Sequence, residues 1–137
     1  MIITKKYVNE LAYKVVGAAI EVHKNLGPGL LESLYEKCLI HELNLNGIST
    51  NNQVKVPVKY KGITIESELK ADIVVENLLI LELKAVDSIL SIHKAQLLTY
   101  LRLLKLPKGI IINFNTMNIT ESLIPLVTEV FEKLPNE

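Results

Sequence analysis

The sequence predicts an α/β domain in which helices flank a mixed β-sheet. Apolar residues recur at helical spacing over residues 5–26 and 31–46. Strand-like runs of Val, Ile and Leu fill the stretch between residues 54 and 86. A third helical stretch, 88–105, then separates that block from the buried-strand pattern GIIINF at 109–114. A strand, a helix and a strand in that order should form a right-handed parallel crossover.

Composition sets the frame. With 137 residues, 49% of them hydrophobic and 22% charged, residues 1–137 read as one domain with a real core rather than as a disordered chain. No apolar run reaches the roughly 18 residues of a membrane span, so no membrane partner is expected. The segment MIITKKYVNE has no apolar block of the secretory kind. The lone Cys38 rules out an internal disulfide and a cysteine-based zinc site. A cytoplasmic location fits both. Formal net charge is zero, and Arg102 is the only arginine among fifteen basic residues. That argues against tight, nonspecific DNA binding through a broad basic surface, but not against a local patch beside a metal, which brings its own charge.

In the first helix Val8, Leu11, Ala12, Val15, Ala19 and Ile20 recur at helical spacing, and Gly27-Pro28-Gly29 stops it. The second, from about Leu31 to Asn46, carries the stripe Leu31, Leu34, Tyr35, Cys38 and Leu39, and Gly47 follows it. Glu32 stands at the edge of that stripe, three residues before Tyr35, so its carboxylate leans towards the core. A first-turn acid favoured by the helix dipole is the plainer explanation of its position. Val54–Tyr60 alternates as a strand, with Pro57 arguing for an edge. Lys61-Gly62 turns the chain into a second strand, Ile63–Leu69, and Lys55, Lys59 and Lys61 form a solvated face. In the helix over 88–105, Gln96 falls four residues after Ile92 and four before Tyr100, on an apolar face where it needs partners. It either caps a neighbouring strand or reaches an acidic site. Pro107 and Gly109 end that helix, and a last amphipathic helix is expected over about Glu121–Leu134.

The chemistry concentrates in ADIVVENLLILELKAV, residues 71–86. It reads as a core hairpin, yet it holds Asp72, Glu82 and Lys84. A charge in an apolar interior costs several kcal/mol unless it is paired or holds a metal. Alternation puts Glu82 and Lys84 on one face. An even two-residue turn at Asn77-Leu78 would oppose Asp72 to Leu83 and send the two carboxylates to opposite faces. A three-residue turn, with Asn77 accepting a left-handed conformation, opposes Asp72 to Glu82 or Lys84; this is the predicted turn. Two carboxylates and an ammonium in the spacing Asp-x9-Glu-x-Lys suit a hard cation such as Mg²⁺, which takes oxygen ligands and leaves places for water and phosphate. A cross-strand salt bridge is the plain alternative.

Gly29-Leu30-Leu31-Glu32-Ser33-Leu34-Tyr35 fits G-x-x-E-x-x-Y. Together with Asp72, Glu82-Leu83-Lys84, the helix HKAQLLTYLRL and the strand GIIINFN, the chain closely resembles the GxxExxY family, placed in the PD-(D/E)xK nuclease-like superfamily. The resemblance runs from about His23 to Asn115, with motifs in matching order. Lys70-Ala71 stands where the superfamily's name has its proline. The resemblance implies a restriction-endonuclease-like core and a Mg²⁺-dependent nuclease, with Mn²⁺ as a substitute, acting on DNA or RNA. It implies Asp72 and Glu82 as metal ligands, Lys84 as the catalytic lysine, and Glu32 as the helical acid that orders the metal. It further implies Gln96 as an orienting polar residue and the Leu83 carbonyl as an added ligand. A non-catalytic module that keeps the fold and binds nucleic acid or protein is the competing reading. A homodimer joined through GIIINF or the last helix is compatible with either. His23, His41 and His93 show no metal spacing.

Overall fold

The computed structural model describes residues 2–137. Helix α1 (Lys5–Leu26) opens at Thr4, whose hydroxyl accepts from the Tyr7 N–H at 3.0 Å, and closes at Gly27, with φ of 70°. Helix α2 (Glu32–Leu45) follows, burying Tyr35, Leu39 and Leu43. The strands are β1 (Thr50–Lys55), β2 (Val58–Tyr60), β3 (Ile63–Ile65), β4 (Lys70–Val75) and β5 (Leu79–Lys84). Helix α3 (Ser91–Leu104) leads to β6 (Lys108–Asn113), then β7 (Leu123–Val127) and the single turn of α4 (Glu129–Glu132). Five strands form the main sheet in the order β1-β4-β5-β6-β7. The β5–β6 pair is parallel, as the α3 crossover requires, and the others are antiparallel. The architecture is the α/β sandwich of a mixed sheet between helices, consistent with a restriction-endonuclease-like core.

The hairpin β4–β5 turns as the spacing predicts. Val75 pairs with Leu79, and Glu76, Asn77 and Leu78 form a three-residue connection, with Glu76 and Asn77 left-handed at φ 49° and 54°. This register sends alternate residues to two cores. Ile73, Val75, Leu79, Leu81 and Leu83 pack under α1 and α2. Ala71, Val74 and Ile80 pack against Leu97, Tyr100 and Leu101 of α3.

Three expectations fail. The predicted strand Val54–Tyr60 breaks at Val56-Pro57, because proline has no N–H for the ladder. The chain leaves the sheet there, and β2 pairs only with β3, which itself stops at Ile65 rather than Leu69. The C-terminal helix expected over 121–134 does not form. A short 3-10 turn (Ile119–Ser122) leads into β7, where Pro125 sits opposite Ile110 on the sheet's edge. Proline breaks a helix interior and is tolerated on an edge strand. Finally, GIIINF cannot join two copies: β6 lies between β5 and β7, with both edges paired.

Candidate active site

At the end of the hairpin away from its turn, backbone pairing gives way to side chains. The β4–β5 pairs end at Ile73–Leu81, and the next opposed residues are Asp72 and Glu82. There the Asp72 N–H donates to Glu82 Oε1 at 3.2 Å, and the Leu83 N–H donates to Asp72 Oδ2 at 2.8 Å. Each carboxylate therefore takes up a main-chain donor. Meanwhile β5 stays paired with β6 as far as Lys84–Asn113, so the parallel neighbour holds Glu82 and Lys84 in place.

The pair is electrostatically tense. Glu82 is 6% exposed. Burial first, and the facing Asp72 charge second, push its carboxyl up to about 8, while the Lys84 ammonium favours the ionised form. A buried carboxyl facing a half-buried one is unfavourable when both are ionised, and the donor set is all oxygen plus one cationic side chain on the face of Glu82. Among the described residues no three His, Cys, Asp or Glu side chains converge into a ready-made metal cage. Mg²⁺ does not need one, since it keeps several waters and takes few protein ligands. The residues present therefore fit a hard divalent cation.

A cavity of about 400 Å³ opens beside the pair, lined by Glu32, Ser33, Glu36, Gln53, Asp72 and Leu83. Glu32, exposed at the first position of α2, thus faces the same space as Asp72. The geometry explains the G-x-x-E-x-x-Y spacing. Tyr35, fully buried, stacks on Phe114 with ring centroids 4.4 Å apart. Its hydroxyl donates to the Gly27 carbonyl at 2.5 Å and accepts from the Leu30 N–H at 3.1 Å. The tyrosine pins the loop before α2, and that loop sets where Glu32 begins the helix. Tyr35 thus acts on the site only through the loop it holds.

Gln96 departs from expectation. It is exposed and does not line this cavity. The face assigned to it rested on Ile92, which is 66% exposed, whereas α3 buries Leu97, Tyr100 and Leu101. His93 is used at the start of α3, where its Nδ1 accepts from the Leu90 N–H at 3.0 Å.

Four residues near the site escaped the sequence reading. Glu36 follows Glu32 by one helical turn. Burial raises its carboxyl and the Asp72 charge adds to this, while the Gln53 amide, donating at 2.8 Å, works against it. The i, i+4 spacing from Glu32 was the available signal. Gln53 lies opposite Asp72 in the β1–β4 register and is left-handed at φ 50°, a strained state for a residue without glycine's freedom. Tyr100 lies against the carboxylates from α3; burial, then Glu82, then Asp72 raise its phenol. Asn113 clamps the chain just after Lys84, donating to the Val86 carbonyl at 2.8 Å and accepting the Val86 N–H at 3.1 Å. A polar residue closing the apolar run of β6 was its signal.

Comparison with known proteins agrees with this geometry. No curated protein and no solved structure matches the chain. The family model of the PD-(D/E)XK nuclease superfamily matches residues 9–132, which takes in most of α1, all of α2, the whole sheet and α3. With the Asp and the Glu-x-Lys of that name on adjacent strands of a mixed sheet, the chain belongs to the PD-(D/E)XK nuclease superfamily.

Proposed function

We propose that this protein is a Mg²⁺-dependent nuclease that hydrolyses phosphodiester bonds of DNA or RNA in the cytoplasm, and that within its superfamily it belongs with the GxxExxY group. The observation that carries the reading is the opposed Asp72–Glu82 pair, in which each carboxylate accepts a main-chain N–H of the other strand, with Lys84 on the same face as Glu82. Superfamily members generally use divalent metals, usually Mg²⁺. Asp72, Glu82 and the Leu83 carbonyl would hold the ion, and Glu32 and Glu36 would orient its waters from across the cavity. When bound, the cation supplies positive charge that offsets the charge building on the phosphate oxygens.

The chain's own residues do the rest. Lys84 places a positive charge beside the scissile phosphate and orients the attacking water. Glu82, ionised once its repulsion by Asp72 is relieved, accepts a hydrogen bond from that water. Tyr100, held protonated, offers a donor to a phosphate oxygen. Asn113 and the β6 pairing keep Lys84 from moving as the substrate arrives.

The test incubates the protein with single- and double-stranded DNA and RNA in Mg²⁺ or Mn²⁺. Wild type is expected to cleave, and Lys84→Ala to lose at least about 100-fold in rate with an unchanged fold. Equal cleavage by both proteins points to a contaminant and overturns the reading. The competing module, which binds without cutting, draws support from the zero formal net charge and the single arginine, Arg102. Calorimetry separates the two, because only the nuclease takes up Mg²⁺ and loses that heat in Asp72→Asn.

A further inference from the structure

The β2–β3 hairpin leaves the main sheet beside the site. The last β1–β4 pair is Lys55–Lys70, two residues from Gln53 on one strand and two from Asp72 on the other. Beyond it the Val56 N–H donates to the Leu69 carbonyl at 2.9 Å and the Ser67 hydroxyl to the Val56 carbonyl at 3.2 Å, closing the root. Past the root, β2 and β3 pair only with each other. Lys61 and Gly62 form the tip, both left-handed at φ 46° and 85°, the pattern of a tight hairpin turn.

Such an isolated two-stranded ribbon is marginal in water, and this one leaves its apolar face largely exposed, with the Lys61 ammonium 5.3 Å from the centre of the Tyr60 ring. The register Val58–Ile65 and Tyr60–Ile63 places these four side chains on one side, with Tyr60 57%, Ile63 58% and Ile65 43% exposed. Lys59 and Thr64 take the other side. Lys55, Lys59, Lys61 and Lys70 are all exposed, and none is in an ion pair: among the described residues the one pair within reach is Arg102–Glu129. Glu66 and Glu68 are the acids of the arm, and they too are exposed.

We infer that this arm grips unpaired nucleic acid for the neighbouring site, the bases lying on Tyr60 and Ile63 and the phosphates passing the ribbon's edge, where Lys61 and the long side chain of Lys59 reach them. The inference rests on the nuclease reading for its choice of ligand. Three features select this occupant. Lysines outside any ion pair fit a phosphate backbone, and the Lys61 ammonium beside the Tyr60 ring puts charge next to the aromatic face. A flat aromatic and aliphatic face fits the faces of unstacked bases, which every base presents, whereas a duplex groove offers polar edges. The root lies only about 7 Å along β4 from Asp72 and Tyr60 about 16 Å further along the ribbon, so a strand held by the arm can run on to the carboxylates.

The test measures fluorescence anisotropy of a labelled single-stranded oligonucleotide of about ten nucleotides, DNA and RNA in turn, in EDTA so that nothing is cut. The exposed double variant Tyr60→Ser, Ile63→Ser is expected to weaken binding about tenfold or more at fixed salt. Lys59→Ala with Lys61→Ala is expected to reduce the salt slope by about 1.4, the value for two phosphate contacts on a single strand. Circular dichroism checks that each variant is folded, and the lysine pair decides the matter if the apolar pair is not. Unchanged affinity and salt slope in the variants overturn the inference. So does tighter binding of the matching duplex, or sedimentation showing a wild-type dimer that the Tyr60 and Ile63 changes dissolve without affecting oligonucleotide affinity. Wild-type binding that needs the arm, without cleavage in Mg²⁺, sinks the nuclease reading and leaves the arm standing.

Discussion

Glu82 carries the sharpest single-residue consequence. Its carboxyl is raised from 4.5 to about 8 in the folded, metal-free chain. Between these values the folded state holds a proton that the unfolded state has released, so stability falls as pH rises through that window and levels off above about 8. Glu82→Gln keeps an acceptor for the Asp72 N–H but removes the charge. In metal-free buffer it is expected to be more stable than wild type by at least about 1 kcal/mol at neutral pH, roughly 4 °C in Tm. The gain should vanish near pH 4.5. Thermal melts across pH check this, and a Glu82→Gln protein no more stable than wild type at pH 8 contradicts the tension assigned to the pair. Asp72 and Glu82 were legible from the sequence because charges inside an apolar hairpin are conspicuous. Glu36, Gln53 and Tyr100 were not, because an exposed helix face, an edge strand and an apolar stripe are ordinary places for them.

At the scale of elements, two contacts test the packing of α3 on the sheet. Gly109 begins the buried part of β6, and a Cβ there would meet Leu97 and Leu101 methyls at 3.0 Å. Gly109→Ala is expected to cost about 1–3 kcal/mol by overpacking, read from denaturant midpoints. The helix ends at exposed Lys105, which is left-handed at φ 57°. Lys105→Gly is expected to stabilise by about 0.5–1 kcal/mol, since glycine meets no Cβ penalty there. Helices α1 and α2 were readable from spacing and stop signals. The last helix was misjudged because the periodicity of 121–134 outweighed Pro125, and the free edge of β6 gave that proline a strand to complete.

For the whole molecule, a cation between two sheet strands and α2 should act as a staple. Because it binds the folded chain alone, Mg²⁺ is expected to raise the Tm of wild type in proportion to the logarithm of its concentration, once above its dissociation constant. Asp72→Asn should abolish that rise while folding normally. Calorimetric scans over a Mg²⁺ series decide it, and an equal rise in both proteins would mean that the ion binds elsewhere. The arrangement also divides labour by layer. One core, under α1 and α2, supports the Tyr35 loop and Glu32; the other, under α3, brings Tyr100 to the carboxylates.

The amino-acid order by itself determined the helices at the start, the odd turn of the hairpin and, through strand alternation, the meeting of positions 72 and 82. These depend on periods of 3.6 and 2 and on a few residues of local backbone geometry. Only the tertiary structure decided which acids from α2 face Asp72, that Gln96 is exposed on α3, that the lysine-bearing ribbon stands free, and that the C-terminal segment becomes a strand. Those outcomes depend on which edges and faces remain unpaired after the sheet has assembled, and no short window of sequence contains that information.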